Sequence, residues 1–469
     1  MRITIFTSRD VLTSTPQTQR SFDVSRRRAL VEVGSSAVFG LSLPKLLAAS
    51  DAASASKTQS NLFGRAKSVV VIFLWGGPGQ QDLWDPKPQA PSVVRSEFGT
   101  ISSQVAGIQL TDQLPELAKH TKRYSIIRSV THKDFEHGSA AYTALTGQPH
   151  PLPGTNTTAR PDDFPTYGSV ATKLSPTKEP VPDFVVLGPV MHQGARPPLA
   201  GQNAGFLGAG FDAFRIPDDP SSKDFHVDGV DLQEGVEEQR LLARKQLLAT
   251  IGDHAGLRNE RQVRGLSGLY DRAFGLLGSA ETRRAFLLND EKPQLRDAYG
   301  RNKFGQTLLL ARRLVEARVP LITLNWSKLN AQEWDTHASN YPRLRKMLPP
   351  FDRSLAAFMQ DMDDRGLLDS TLVVCLGEFG RTPKINKDAG RDHWPDCYSL
   401  LMAGGGVPGG QVYGASNRTA AYPVQDDVAP WDIAATMYHL MGINPATHIE
   451  NRQGQPLPIA RGNVIERLF

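Results

Sequence analysis

Carboxylates and imidazoles follow the ends of apolar runs repeatedly in this 469-residue chain. After residues 69–75 come Gln80, Gln81, Asp82 and Asp85; after 125–127 come His132, Asp134, Glu136, His137 and Ser139. After 321–324 come Asp335 and His337, after 371–376 comes Glu378, and a little further on stand Asp392 and His393. Side chains of these types, delivered to one edge from separate segments, are the usual donors for Zn²⁺, Mn²⁺ or a similar divalent ion. In Trp334-Asp335-Thr336-His337 an extended backbone sends residues i and i+2 the same way, so Asp335 and His337 can reach one point. Taken singly each residue has an ordinary alternative: an Asp that caps a loop, a His in solvent, a Glu paired with Arg381. The recurrence at five segment ends gives the expectation its content. Asp335, His337 and His393 should bind one divalent metal, with His137 and Glu378 facing it across a crevice.

Two neighbouring stretches bear on an anionic ligand. Residues 136–147 read as a helix with small residues at its start and Gly147 as its stop. The N-terminus of such a helix offers free N–H groups and a positive dipole end to a phosphate or sulfate; close helix packing explains the small residues equally well. Arg381, three residues after Glu378, can pair with that acid or bind an oxyanion in a bidentate fork. Gly404-Gly405-Gly406-Val407-Pro408-Gly409-Gly410 lacks the Gly-Lys-Ser/Thr ending of a phosphate loop and reads as a turn. Ser139 has no nucleophile-elbow context.

The elements that must position these residues are legible as alternating apolar runs and helical patterns. The run at 69–75 is unbroken and β-branched, as a strand buried on both faces is. Comparable runs recur at 125–127, 184–187, 321–324, 371–376 and 399–402. Amphipathic stretches at 303–317 and 344–364 lead into two of them. The alternation predicts an α/β fold with a mostly parallel central sheet and helices on both faces, whose crevice lies beyond the C-terminal strand ends. Gly-, Pro- and Asn-rich segments at 149–165 and 189–220 read as long loops, and the charged block at about 232–296 as a helical insertion. Cys375 and Cys397 are the only cysteines, so disulfides do not hold the fold together; two buried thiols are expected, with one bridge as the alternative.

The N-terminus reads as a targeting segment. Ser25-Arg26-Arg27-Arg28 precedes a weakly apolar run broken by Gly34, Gly40 and Pro44, and Ala53-Ser54-Ala55 supplies a small-x-small cleavage pattern. The paired arginines point to the twin-arginine route, with residues 1–55 removed and the protein exported to the periplasm or beyond. Removal lowers the formal charge from +5 to +2, so the basic balance does not imply a nucleic-acid partner. No later stretch is long and apolar enough to span a bilayer.

Taken in order, the arginine-bearing leader and Trp75-Gly76-Gly77-Pro78, with Asp82 and Trp84-Asp85-Pro86-Lys87-Pro88, open a recognisable series. It continues through His137-Gly138, Trp334-Asp335-Thr336-His337, Gly377-Glu378-Phe379-Gly380-Arg381-Thr382-Pro383 and Gly390-Arg391-Asp392-His393-Trp394-Pro395. The series resembles the sulfatase-like family catalogued as domain of unknown function 1501. The resemblance covers nearly all of 56–469 and implies a single alkaline-phosphatase-like domain. It implies a metal set of Asp82, Asp335, His337, Glu378 and His393, with zinc first and manganese or calcium as alternatives, and catalytic roles for His137 and Arg381. His137 falls where alkaline phosphatases place their Ser nucleophile. Asp82 stands for the strand-one Asp but several residues later than the pattern asks. Phe379 replaces the His that should pair with the acid at 378, which puts a second metal in doubt. No Cys-x-Pro-x-Arg or Ser-x-Pro-x-Arg occurs, so formylglycine chemistry has no support. Two functional readings follow: a secreted metal-dependent hydrolase of phosphate or sulfate esters, acting on a small anionic ester or a sulfated or phosphorylated glycan, and a non-catalytic binding protein on the same fold.

Overall fold

Every side chain of β1, Ser68–Phe73, is buried, and the reason is the alternation of a pleated strand between two apolar layers. Val70 and Ile72 pack with Leu308, Phe351, Leu355 and Met359 on one side. Val69, Val71 and Phe73 pack with Ala141, Val170, Ala434 and Met437 on the other. The computed structural model describes residues 62–194, 196–228, 243, 246, 247, 279–327 and 333–469, and 62–469 form one compact unit. The expected leader, and most of the expected helical insertion at 232–296, lie outside the described residues.

In chain order the strands that build the central sheet and the site are β1, then β2 (Tyr124–Val130), β3 (Phe184–Leu187), β4 (Phe214–Ile216), β5 (Leu321–Asn325), β6 (Thr371–Leu376), β7 (Gly380–Arg381), β8 (His393–Trp394), β9 (Tyr398–Ala403) and β10 (Val412–Tyr413). Eight of them form one sheet in the order β10-β2-β9-β6-β1-β5-β3-β4. All pairings in it are parallel except the two made by β9. The fold is therefore α/β with a mostly parallel sheet, as the alternation predicts. The exception has a local cause. A parallel return needs a crossover, usually a helix, and the chain between β6 and β9 instead makes the antiparallel ribbon β7–β8 and turns straight back. β4 falls inside a segment expected to be loop; its three residues pair with the edge of β3.

Helices α1 (His137–Thr146), α2 (Tyr167–Leu174) and α5 (Pro430–Leu440) cover one face, and α3 (Lys303–Glu316) and α4 (Asn340–Asp364) the other. The Asn302 side chain accepts from Gly305 N–H and starts α3, a cap worth roughly 1 kcal/mol. α4 begins four residues before its apolar period does, because its first turn carries Asn340 and Tyr341, which are hydrogen-bonded to Asp82 and Arg391. Truncating a central side chain such as Ile72 to Ala costs about 2–5 kcal/mol here, since the helical layer on its side of the sheet would have to collapse onto the gap. Cys375 and Cys397 are free, buried thiols, and burial pushes the Cys397 thiol up to about 12. Among the described residues no helix is long and apolar enough to cross a membrane.

Candidate metal centre

β1 ends in Trp75-Gly76-Gly77, and the turn there is tight enough to need glycine. Gly76 has φ +117°, and a Cβ on it would stand 2.4 Å from the backbone N of Asp335. A substituent at Gly77 would run into Phe379. The 333–337 segment can therefore lie directly on the end of β1, where Trp334 N–H donates to Trp75 O at 3.2 Å. On the same edge α1 starts with His137, and β6 runs out at Leu376, just before Glu378. The ribbon places His393 opposite Arg381 in register. Four elements with separate reasons to end here thus bring their polar residues to one point.

His137, Asp335, His337 and His393 each offer one ligand atom, and these atoms all lie within 4.8 Å of one another. Asp335 Oδ2 is 3.3 Å from His137 Nε2, and Asp335 Oδ1 is 3.1 Å from His337 Nε2 and 3.5 Å from His393 Nε2. Each imidazole is held by its other nitrogen. His137 Nδ1 meets Glu378 Oε1 at 2.5 Å, His337 Nδ1 meets Asp392 Oδ1 at 2.9 Å, and His393 Nδ1 meets the Phe135 carbonyl at 2.6 Å. All three Nε2 atoms therefore face Asp335 and one another.

The proton positions make this arrangement informative. A carbonyl only accepts, so His393 Nδ1 donates to Phe135 O, and in the neutral ring Nε2 carries the lone pair. Burial, the largest influence, lowers the His393 pKa and favours that neutral ring, against the carboxylate of Asp335. His337 Nδ1 likewise meets the Asp392 carboxylate, and its Nε2 lies 2.8 Å from that of His393, so a proton or a cation is shared between the two nitrogens. A divalent cation in that position would be met by both nitrogens and by the Asp335 carboxylate. His137 Nε2 is buried and approaches Asp335 without the geometry of a hydrogen bond. Burial pulls the His137 pKa down, but its contacts with Asp335 and Glu378 together raise it above the ordinary imidazole value. Burial likewise opposes the Asp335 carboxylate, yet His137, His393 and Arg381 hold its pKa well below the usual range. The donor set thus fits a divalent cation that accepts imidazole nitrogen. Side-chain exposure runs from 2% at His137 through 15% at His393 to 46% at His337, so the cluster opens to solvent on the His337 side.

Other expected site residues stand elsewhere. Asp82 is outside the cluster: its oxygens receive Arg391 Nε at 2.9 Å, Asn340 Nδ2 at 3.0 Å and Ser96 Oγ at 2.7 Å. Its apparent spacing from the strand end reflects this other task, since Arg391 belongs to the loop that carries His393. Glu378 backs His137 and also accepts from Gly76 N–H at 2.9 Å, instead of joining the four-residue group. Arg381 is wholly buried and points inward to Asp335 Oδ1 at 2.6 Å and Gly77 O at 2.9 Å, so the expected oxyanion fork is turned away from solvent. The start of α1 is likewise closed to an anion, because Gly138 N–H donates to Asn156 Oδ1 and Ser139 N–H to Thr155 O. Sequence reasoning counted Asp392 among the acids at the segment ends without giving it a partner, and gave no role to Phe135 O, Arg391 or Asn156. Asp392 alone left a signal, an acid adjacent to His393; a backbone carbonyl leaves none.

The cluster draws on motifs spread from the first strand to the late ribbon, and comparison with known proteins covers the same span. No curated protein matches the chain. Among solved structures, the lipoteichoic acid synthase LtaP from Listeria monocytogenes is similar at 11% identity with a TM-score of 0.35, over 82% of this chain and 74% of that one. The PsFucS1 sulfatase from Pseudoalteromonas sp. is similar at 13% identity with a TM-score of 0.39, over 83% and 70%. A protein in the alkaline phosphatase superfamily from Vibrio parahaemolyticus is similar at 10% identity with a TM-score of 0.38, over 81% and 67%. A family model matches residues 66–469, the whole stretch that builds the sheet and the cluster, and by that match the chain belongs to the family described as Protein of unknown function (DUF1501).

Proposed function

We propose that this protein is an exported, metal-dependent hydrolase of phosphate or sulfate esters, with zinc held by His137, His337 and His393 through Nε2 and by Asp335 through its carboxylate. The observation that carries the reading is the convergence of three back-bonded imidazoles on one carboxylate. Histidine ligands whose far nitrogen is fixed by a carboxylate or carbonyl are the recurring second layer of zinc sites. Nitrogen donors favour zinc over calcium, which prefers six to eight oxygens. A bound ion would supply Lewis acidity toward an ester oxygen and toward water. The chain's own residues then divide the work. Glu378, Asp392 and the Phe135 carbonyl orient the rings, and Asp335 sets the charge between them. The half-exposed His337 side admits a small anionic ester or the sulfated or phosphorylated end of a glycan. In this reading His137 is a ligand instead of a nucleophile, because its Nδ1 is bound to Glu378 and the residue is 1% exposed.

A second reading, a metal-binding protein without turnover, has one observation in its favour: the cluster offers four protein ligand atoms, which would satisfy a zinc ion by themselves, whereas catalytic zinc sites commonly keep a position open. One set of measurements separates the two. The purified protein should carry zinc, lose most of it in His337→Ala and His393→Ala, and hydrolyse aryl phosphate or aryl sulfate esters only when loaded. Metal without turnover on either ester class would favour the second reading, and no metal would remove both. Export rests on the Arg26-Arg27 pair. Replacing both with Lys should leave the protein in the cytoplasm on fractionation, and unchanged export would remove the twin-arginine assignment.

A further inference from the structure

Beside the candidate metal cluster, a buried position is occupied by a cation that the protein itself supplies. The Arg381 guanidinium is wholly buried and is surrounded by oxygens. Nε donates to Gly77 O at 2.9 Å, Nη1 to Arg391 O at 3.1 Å, and Nη2 to both Gly76 O and Asp335 Oδ1, the latter at 2.6 Å. Three carbonyls and one carboxylate form the kind of oxygen cage that hard divalent ions occupy. Asp335 Oδ1 is shared between this cage and the imidazole cluster, where it lies 3.1 Å from His337 Nε2. A carboxylate placed between two cation positions is the natural bridge of a two-ion centre, and here one of the two is a fixed guanidinium. The formal charges agree. Asp335, Glu378 and Asp392 are three carboxylates against one guanidinium, and the excess is what a single divalent ion balances.

We propose that Arg381 is a built-in cation that limits this centre to one divalent ion and fixes the carboxylate of Asp335 toward it. The proposal rests on the metal reading above and adds two things: the stoichiometry, and a positioning role for a residue that does not face the ligand side. Two features of the chain make the arrangement durable. Gly76 and Gly77 have φ of +117° and +71°, so the two carbonyls they contribute come from a turn that other residues would strain to adopt. The third carbonyl is that of Arg391, anchored in turn on Asp82.

The test is metal stoichiometry, read by elemental analysis and by calorimetric titration of the full mature chain with Zn²⁺, followed by Ca²⁺ as a probe for the oxygen cage. The wild type should take up one equivalent of Zn²⁺ and no Ca²⁺. Arg381→Gln, which keeps much of the side chain's volume but removes its charge, should open the cage and admit one further divalent ion. Arg381→Lys keeps the charge without the fork. It should stay at one equivalent, with zinc affinity lowered about 10–100-fold because Asp335 is less well held. Two equivalents in the wild type, or no additional ion in folded Arg381→Gln, would overturn the proposal while leaving the metal reading intact. No metal in the wild type would remove both. Should Arg381→Gln fail to fold, the wild-type stoichiometry and the affinity of Arg381→Lys decide the matter, since an unchanged affinity there denies Arg381 its hold on Asp335.

Discussion

An imidazole that is to offer a lone pair in one direction needs its other nitrogen occupied, and at this site three different groups contact the Nδ1 atoms of three histidines. The Glu378 contact is the one most open to a clean test. At 2.5 Å from His137 Nδ1 and wholly buried, Glu378 fixes the ring and raises its basicity toward a metal. Its other contact, with Gly76 N–H, ties the same carboxylate to the end of β1, so it cannot swing into the cluster without leaving a backbone donor unpaired. Glu378→Gln should therefore keep one bound zinc while weakening it about 10–100-fold, measured by competition with a chromophoric chelator. His137→Ala, in contrast, should lose most of the metal. Equal affinities for Glu378→Gln and the wild type would mean that the glutamate serves only the backbone of Gly76.

Between the residues and the fold stands the ribbon β7–β8, and a buried ion pair anchors the loop that joins its two strands. Arg391, two residues before His393, reaches Asp82 with Nε at 2.9 Å and Nη2 at 3.3 Å, and both side chains are fully buried. Removing one partner of such a pair strands the other in a medium that cannot solvate it, at a cost of about 3–5 kcal/mol. Asp82→Ala should lose stability on that scale in denaturant unfolding, yet under the proposed reading the folded fraction should still bind zinc, since Asp82 lies outside the four-residue cluster. Loss of the metal equivalent without loss of stability would return Asp82 to the ligand set expected from the sequence. That contrast shows where sequence reasoning stops. The strands could be read from their β-branched runs, and Asp335, His337 and His393 from their position after those runs, because strand ends and site edges coincide in parallel sheets. The direction of a side chain after a strand end could not be read. Asp82 and Arg381 have the residue types of a ligand and an oxyanion fork, but their orientation is decided by partners some three hundred and some fifty positions away, Arg391 and Asp335. The ribbon itself left no pattern, since strands of two residues carry no periodicity.

At the scale of the whole molecule the candidate centre is a clasp between segments distant in the chain. His137 comes from the start of α1 on one face of the sheet, Asp335 and His337 precede α4 on the other, and His393 comes from the ribbon. Disulfides contribute nothing comparable, because both cysteines are free. A ligand that binds only the folded state stabilises it by mass action, by about 2.7 kcal/mol when its free concentration is a hundredfold above its dissociation constant. For a cation joining three chain segments the unfolded chain offers no preformed site, so nearly all of the binding free energy favours the native state. The melting temperature should therefore rise with added zinc and continue to rise as the logarithm of its concentration. Chelation should reverse the rise, and His337→Ala should melt where the chelated wild type does and respond little to zinc. Differential scanning calorimetry of the purified protein with and without chelator checks this directly. If the wild type and His337→Ala respond alike, whatever zinc does to the fold it does elsewhere, and the four-residue cluster loses its claim to be the metal centre.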